Sequence, residues 1–310
     1  MPDLGAHFDV LSNVLSLVRL RGELFCANEN SAPWSLAFED RVSRFHIIDR
    51  GTVWLRPDVG APIRLNSGDL VILPLGRGHV LASDPDLAPV PIGEAIAKAQ
   101  VAPGGIFRYG GGGEIAQLVC GQFAFDGVLA PRLMAVLPPV IHVEAKAGNP
   151  LDWIKLISQF LMEEAYNPKP GSAIMIARLF ELLFIRTIRE WGASHPGNLG
   201  WLSGLSDAQI GRALAAIHDN PVNDWTVEML AQIAGLSRSV FASRFAQIVG
   251  QTPLKYLAGW RINLAADYLR AGSMKISHIA TAVGYSSEAS LSRAFKLQFG
   301  TSPAAFRRGH

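Results

Sequence analysis

The sequence predicts a multidomain protein of α and β structure: an N-terminal β-barrel, a helical segment and an all-α C-terminal domain. Over residues 34–125, short runs rich in valine, isoleucine and aromatic residues alternate with glycine and proline, which is typical of β structure. Apolar residues recur at helical spacing from residue 151 onwards, and one helical pattern then occurs twice. The expected domains follow these changes of pattern: 1–145, 146–200 and 201–310.

The composition fits a folded protein of more than one domain. The chain has 310 residues, of which 49% are hydrophobic and 17% charged, so it can bury sizeable cores. Its two cysteines, Cys26 and Cys120, are too few for a secreted disulfide scaffold. The start of the chain lacks the basic segment of a signal peptide, and no apolar run approaches the ~20 residues that cross a bilayer. We expect a cytoplasmic protein with no membrane partner.

Charge is distributed unevenly along the chain. Residues 207–310 carry 11 Lys or Arg and 6 Asp or Glu, a net charge of +5. The preceding 206 residues carry 17 and 20, a net charge of −3. A basic C-terminal part is typical of a domain that binds a polyanion, although a chance fluctuation of this size is an alternative.

Helices are predicted on both sides of the β domain. Residues 8–21 place apolar residues at helical spacing and predict a short amphipathic helix. Residues 151–165 and 172–191 predict two more, separated by a break that contains Pro and Gly. Because two such helices need a partner surface, we expect a homodimer contact here, with packing on the barrel as the alternative. Residues 192–200 are the candidate linker.

The strongest pattern is an internal repeat near the C-terminus. LAQIAGLSRSVFASRFAQIVGQTP (230–253) matches IATAVGYSSEASLSRAFKLQFGTSP (279–303), with one extra residue after the turn of the second copy. Each copy predicts a short helix that ends at a glycine, followed by a second helix with one apolar face. We expect Ser237 and Ser286 to be the N-caps of the two second helices.

Residues 253–278, between the two copies, predict a long helix that would fix the distance between them. Paired helix-turn-helix units of this kind place their second helices in successive major-groove segments about 34 Å apart, one turn of DNA. A helix pair around a turn is often only structural. A duplicated pair with the same turn chemistry instead favours a DNA-binding function.

These repeated segments resemble the AraC/XylS family of regulators over about residues 208–308. The most specific part is GYSSEASLSRAFKLQFGTSPAAFR (284–307). The resemblance implies seven helices, sequence-specific binding of double-stranded promoter DNA and activation through contact with RNA polymerase. By position, it also implies recognition helices at about 238–248 and 287–298. The side chains expected to face DNA are Arg238, Ser239, Ala242, Ser243, Ser287, Glu288, Ala289, Ser290, Arg293 and Lys296.

Among these residues, Arg293 is the best candidate for reading a base, because Arg pairs bidentately with guanine; a phosphate contact is the alternative. The short side chains of the first recognition helix predict fewer direct base contacts there, or contacts through water. Arg244 is expected at a phosphate or an acidic neighbour. The remaining candidates for phosphate contacts, or for simple solvation, are Lys296, Arg307 and Arg308.

Two segments of the β domain resemble cupin motifs. GDLVILPLGRGH (68–79) has the Gly, Pro, Gly and His spacing of the second motif, and RFHIIDRG (44–51) matches part of the first. The resemblance implies a small barrel that binds a small effector or mediates dimerisation, as in the sensor domains of one branch of AraC-like regulators. Arg44 and Arg50 stand where cupin enzymes have a His and a Glu, so the enzymatic ligand set is incomplete.

A metal site is one interpretation of the remaining polar residues in the β domain. His46, His79 and Cys120 are the candidate ligands of a divalent metal such as zinc, which accepts mixed His and Cys ligands. His142 is a further candidate. The alternative is that the histidines are hydrogen-bonded structural residues and that Cys120 is a small core residue.

The sequence leaves three functions open. The first is a transcription regulator, acting as an activator, whose cupin-like domain responds to a small ligand or a metal. The second is a cupin-type metalloenzyme fused to a DNA-binding domain, which Arg44 and Arg50 disfavour. The third is a redox switch through Cys26 and Cys120, whose spacing fits no metal-binding or thioredoxin motif and whose sequence neighbours do not indicate a lowered thiol pKa. We expect the first.

Overall fold

The computed structural model describes residues 10–39, 42–99, 106–145, 153–194, 204, 207–272 and 274–309. The chain forms two compact units. The β unit consists of Leu20–Phe125 and Leu137–Trp191. The helical unit consists of the segment that ends at Arg19, Asp126–Val136 and the chain from Gly192 onwards. Two segments from the sequence of the expected first domain therefore group with the C-terminal helices. Most of the candidate linker, residues 195–200, lies outside the described residues.

Eleven strands of the described chain build the β unit. They are β1 Leu20–Ser31, β2 Ser35–Phe38, β3 Ser43–Arg50, β4 Thr52–Pro57, β5 Ile63–Asn66, β6 Leu70–Leu73, β7 His79–Ala82, β8 Val90–Pro91, β9 Phe107–Gly110, β10 Ile115–Phe125 and β11 Ile141–Val143. One sheet has the order β11-β6-β3-β10-β1-β9 and the other the order β5-β4-β7-β2-β8. Helix α2, Ile92–Ala99, follows β8.

The two sheets do not close into the barrel that the sequence predicted. The short strands β8 and β9 each add in parallel to one neighbour, β2 and β1, and leave the sheets with open ends. Apolar side chains from both sheets still form one buried core between them. Its fully buried members include Leu55, Leu65 and Leu118. The β unit is therefore a sandwich of two sheets rather than a closed barrel.

Two helices cover the larger sheet of the β unit: α4, Trp153–Tyr166, and α5, Ser172–Ser194. Phe180 of α5 meets Phe45 edge-on, with ring centroids 4.7 Å apart. Gly22 and Gly121 make room for this ring, because a Cβ atom at either position would lie less than 3 Å from the Phe180 ring. Burying such a ring contributes roughly 1.5–3 kcal/mol. The predicted helices are confirmed, and they pack on the sheet through one face.

Nine helices of the described chain belong to the helical unit. They are α1 Val10–Val18, α3 Ala130–Val136, α6 Ala208–Asp219, α7 Val227–Ala234, α8 Arg238–Val249, α9 Pro253–Ala271, α10 Ile276–Ala282, α11 Glu288–Phe299 and α12 Pro303–Arg308. The last seven agree with the number that the family resemblance implied. The linking helix α9 is shorter than predicted, because Gly272 ends it in a left-handed conformation with φ +78°.

The N-terminal helix α1 is attached to the C-terminal helices by packing and by charge. Its buried residues include Leu11, Val14 and Leu17, and it contacts α6. Directly after it, Arg19 pairs with Asp267 of α9 at 2.8 Å. None of the helices described here is both long enough and apolar enough to cross a membrane.

Candidate nucleic-acid interface and a buried cysteine–histidine cluster

The two helix-turn-helix units have the same turn. In the first, the Leu236 N–H donates to the Ala231 carbonyl at 2.9 Å after Gly235. In the second, the Tyr285 N–H donates to the Ala280 carbonyl at 2.8 Å after Gly284. Both are Schellman turns, and both glycines have positive φ, +70° and +84°. The turn chemistry predicted from the repeat is confirmed.

The N-cap of the second unit differs from the prediction by one residue. Ser237 caps α8 as expected, since its side chain accepts a hydrogen bond from the Val240 N–H. The extra residue of the second copy moves the cap of α11 from Ser286 to Ser287. The Ser287 hydroxyl accepts from the Ser290 N–H, and the Ser290 hydroxyl accepts from the Ser287 N–H, which completes a capping box. These two hydroxyls therefore hold the start of the helix.

Each second helix buries an aromatic face and exposes a polar one. Phe241, Phe245, Leu291 and Phe295 are fully buried. Of the predicted DNA-facing residues, Ala242 and Ser290 are half-buried. The exposed ones are Arg238, Ser239, Ser243, Ser287, Glu288, Ala289, Arg293 and Lys296. The structure thus places most of the side chains predicted to face DNA on the exposed surface of α8 and α11.

Helix α9 contacts both second helices. Its Tyr256 packs edge-on against Phe245 of α8, with ring centroids 5.9 Å apart. Two turns further along, the buried Asn263 accepts a hydrogen bond from Gln298 of α11 at 2.7 Å. Because a single rigid helix holds both partners, it fixes the distance between α8 and α11.

The cations of the first unit are neutralised within the protein. Arg238 pairs with Glu228 of α7 at 2.7 Å. Arg244 donates through two nitrogens to Asp207, the N-cap of α6. Although burial raises the pKa of Asp207, hydrogen bonds from the Ile210 N–H and from Arg244 hold it below its usual value. Of the two partners expected for Arg244, the structure gives it the acidic neighbour.

The cations of the second unit are free by comparison. Arg293 and Lys296 form no ion pair with any residue in the described part of the chain. Both are exposed on α11. The second unit therefore presents unneutralised positive charge beside its short polar side chains, and the first unit does not.

Comparison with known proteins identifies both halves of the chain. A cupin family model matches residues 9–193, and a helix-turn-helix domain model matches residues 230–309. A putative AraC-like transcription regulator from Streptomyces lividans is 36% identical over 303 residues, which is 97% of this chain and 98% of that protein. The chain belongs to the AraC-like transcription regulators. It is a DNA-binding regulator with a cupin-type N-terminal domain.

One further relative fits this AraC-like assignment. The HTH-type transcriptional regulator AlkR from Acinetobacter baylyi is 30% identical over 97% of this chain and 99% of its own length. The DNA-binding domain of AdpA, solved in complex with a target DNA, shares 31% sequence identity. It covers 31% of this chain and 87% of that chain, with a TM-score of 0.31.

A cysteine–histidine cluster lies inside the β unit of this AraC-like regulator. His46 of β3 and Cys26 of β1 both lie opposite Cys120 of β10 in the sheet. His46 Nδ1 is 3.0 Å from the Cys120 Sγ, and His46 Nε2 is 2.8 Å from Nε2 of His79. The His79 ring stacks on Phe38 at 4.7 Å. His46, His79 and Cys120 are almost completely buried.

The predicted metal ligands are neighbours, but they are arranged in a row. His46 lies in the middle and directs one ring nitrogen at Cys120 and the other at His79. Because three ligands must converge on one point, this arrangement does not support a site with all three around one ion. The described residues contain no group of three or more His, Cys, Asp or Glu that fits a metal. His142 lies elsewhere and bonds to Asp69 at 3.1 Å.

Burial shifts the pKa values of this cluster. Desolvation holds the pKa of His46 well below its usual value, and the nearby His79 and Arg44 lower it further. The pKa of Cys26 is lowered, chiefly by a hydrogen bond from Cys120. The same hydrogen bond, together with burial, raises the pKa of the Cys120 thiol well above its usual value. The contacts with Cys26 could not be predicted from the sequence, because 94 positions separate it from Cys120.

Proposed function

We propose that this protein is a promoter-specific activator that inserts α8 and α11 into successive major-groove segments and contacts RNA polymerase. The observation that carries the proposal is the pair of helix-turn-helix units joined by α9. Each unit packs its aromatic face inward and leaves the first turns of its second helix exposed. In DNA-binding units of this type, the N-terminal part of the second helix contacts the base edges.

The two helix-turn-helix units contribute differently to DNA recognition. In the second unit, Arg293 reads a guanine and Lys296, three residues further, contacts a phosphate. In the first unit, Arg238 is held by Glu228, and the neighbouring Ser239 has a short side chain. We therefore assign most direct base discrimination to α11, and a larger share of water-mediated contacts to α8.

Selection from random duplexes tests this function. The purified full chain, in moderate salt, is expected to enrich one bipartite sequence whose halves lie about 10.5 base pairs apart, one turn of DNA. The half bound by α11 is expected to be the better defined of the two. Enrichment of no sequence, or of a single half-site with no spacing preference, contradicts the proposal.

A second copy of the chain is the partner that we propose for the outer face of α4 and α5. Five large apolar side chains on these two helices are exposed: Leu156, Phe160, Ile174, Met175 and Leu182. Helix α5 has 23 residues and is therefore about 34 Å long. A helix pair of this length can supply the roughly 800 Å² per partner of a standard interface.

A polar cavity of the β unit is the site that we propose for a small effector. Core residues from both sheets pack together in the sandwich interior. A cavity of about 730 Å³ lies among β3, β5, β11 and α4. Its lining carries both charges, with Arg64 and Lys155 beside Asp49, Asp69 and Glu144. This lining favours a small charged or zwitterionic molecule.

The metalloenzyme alternative receives no support from these side chains. Arg44 and Arg50 occupy the positions of two cupin ligands, and the guanidinium of Arg44 lies 5.1 Å from the centre of the Phe38 ring. A non-haem iron site needs two His and one carboxylate around open positions. The buried histidines of the β unit instead bond to each other and to a thiol.

A further inference from the structure

The two cysteines of the chain meet inside the β unit. Cys26 of β1 lies directly opposite Cys120 of β10 in an antiparallel pair. Directly opposed residues in such a pair have Cα atoms about 4.5–5.5 Å apart, within the range of about 4.4–6.8 Å that disulfides span. Directly opposed residues project from the same face of a sheet, so the two thiols are neighbours. Both are free in this structure.

We propose that Cys26 and Cys120 are an oxidation site, which a peroxide-class oxidant converts into an intrachain disulfide. Cys26 is the attacking residue, because it is partly exposed whereas Cys120 is buried. Cys120 is the resolving residue, because it is buried and lies directly opposite Cys26 in the sheet. The opposite pKa shifts of the two thiols agree with this assignment.

The reaction is balanced in two steps. In the first, the Cys26 thiolate attacks one oxygen of hydrogen peroxide, the O–O bond breaks, and the second oxygen leaves as hydroxide, which takes a proton to become water. Cys26 is then a sulfenic acid. In the second, the Cys120 sulfur attacks the Cys26 sulfur, the S–S bond forms, and hydroxide again leaves and becomes water. Two thiols are oxidised by two electrons, and one peroxide is reduced to two waters.

Two buried histidines can accept the proton of the Cys120 thiol. His46 Nδ1, at 3.0 Å from the Cys120 sulfur, accepts that proton when the sulfur attacks. The proton on His46 Nε2 moves at the same time to His79 Nε2, at 2.8 Å. Because burial disfavours a charged His46, the ring does not retain the second proton. His46 is therefore a positioning and proton-carrying residue for the second step only.

The proposed disulfide joins β1 and β10, the two strands at which the chain passes between the helical unit and the β unit. Strand β1 begins directly after α1 and Arg19, and β10 ends directly before Asp126, where the chain returns to the helical unit. The β1–β10 pairing shifts register between Gly22 and Phe25, just before Cys26. Given the proposed function, we infer that the disulfide fixes this irregular part of the ladder and thereby changes promoter binding.

Thiol counting on the full chain tests the site. A stoichiometric dose of hydrogen peroxide is expected to reduce the free thiols of the denatured protein from two to none. Its mass should fall by two hydrogen atoms, with one cross-linked peptide, and dithiothreitol should reverse the change. Unchanged thiols, a gain of oxygen atoms that dithiothreitol does not remove, or disulfides only between chains would overturn the proposal.

Three single variants and one double variant assign the roles, each first shown by circular dichroism to be folded. Cys120→Ser is expected to stop at a sulfenic acid on Cys26 that dimedone traps, and Cys26→Ser to leave Cys120 unreactive. His46→Gln is expected to slow disulfide closure by about tenfold or more without slowing dimedone labelling in a Cys120→Ser background. Equal slowing of both steps overturns the role of His46. If Cys120→Ser does not fold, the rate of Cys26 alkylation in the wild-type chain, expected to exceed that of Cys120, decides the order.

DNA binding separates this inference from the proposed function. The reduced chain is expected to bind the selected duplex, and the oxidised chain to bind it with an affinity changed at least about tenfold. A disulfide that leaves the affinity unchanged overturns the regulatory inference alone. A reduced chain that prefers no sequence overturns the proposed function, while the thiol count still tests the site.

Discussion

Arg293 and Lys296 are exposed on the same helix but differ in what they can recognise. Both project from α11 and pair with no acidic residue in the described chain. A guanidinium can bond to two acceptors of one guanine, whereas an ammonium acts as a point charge on phosphate. The sequence could place both residues on a recognition helix. The sequence could not show that Glu228 and Asp207 form ion pairs with the arginines of the first helix-turn-helix unit, because those pairs depend on how α6, α7 and α8 pack.

The first prediction separates a base contact from a phosphate contact. Arg293→Ala is expected to cost about 1–3 kcal/mol of binding and to relax sequence preference at one base pair. Lys296→Ala, the matched control on the same helix, is expected to weaken all sequences alike and to reduce the salt slope by about one. Titration of matched and mismatched duplexes over a range of salt measures both. If Arg293→Ala weakens every duplex equally, Arg293 is a phosphate contact.

The second prediction concerns His218, which is buried in the helical unit. It stacks on Trp260 with ring centroids 3.9 Å apart and bonds to the Tyr256 hydroxyl at 2.8 Å. Burial lowers the pKa of His218 from 6.5 to about 3, so the folded protein keeps it neutral and the unfolded chain protonates it more readily. The free energy of unfolding therefore falls as the pH drops below 6.5, by up to about 1.4 kcal/mol per pH unit. This loss ends near pH 3, where the folded protein also binds the proton.

Urea unfolding followed by tryptophan fluorescence checks this pH dependence. His218→Gln keeps a hydrogen-bonding side chain beside Tyr256 but cannot titrate, so its stability should vary less between pH 7 and pH 4.5 than that of the wild-type chain. An identical pH dependence in the two proteins would show that His218 does not contribute.

At the scale of elements, α9 is the part that relates the two recognition helices. The hydrogen bond between Asn263 and Gln298 is one of the contacts that join it to α11. Asn263→Ala leaves Gln298 without this partner and is expected to lower the free energy of unfolding by about 1–3 kcal/mol. In a double-mutant cycle with Gln298→Ala, we expect a coupling energy of about 0.5–3 kcal/mol from urea unfolding. Additive effects would show that the contact does not couple the helices.

The apolar face of α4 and α5 gives a prediction about assembly. Phe160 of α4 is 49% exposed, and Phe160→Asp is expected to convert a dimer into a monomer, because it places a charge in the proposed interface. Ile96 of α2 is exposed to almost the same extent, 48%, outside this face. Ile96→Asp is therefore the matched control and should leave the dimer intact. Light scattering after gel filtration measures both; a wild-type monomer contradicts the assignment.

The sequence predicted some elements better than others. Repetition placed the helices and turns of the C-terminal part almost to the residue, because Gly235 and Gly284 end their helices by backbone conformation alone. The prediction of a closed barrel was wrong, because the alternating pattern of a strand does not show whether its sheet ends at an edge or closes on itself. The register that brings Cys26, His46 and Cys120 together depends on long-range pairing of β1, β3 and β10, which no local spacing encodes.

For the whole molecule, promoter recognition depends on the two helix-turn-helix units acting together on one face of DNA. The uneven charge of the chain agrees with this, since the net charge of +5 lies in the 104 residues that hold both units. Contacts between basic side chains and phosphates alone would hold the protein on any duplex. The rigid helix α9 is therefore needed to combine two weak contacts into recognition of two half-sites at a fixed spacing.

Methylation interference on the selected duplex tests this claim most directly. We expect methylation of guanine N7 to block binding in two major-groove segments about 10.5 base pairs apart on the same face, and the insertion of five base pairs between them to abolish specific binding. Interference confined to one segment, or binding that tolerates the insertion, would contradict it.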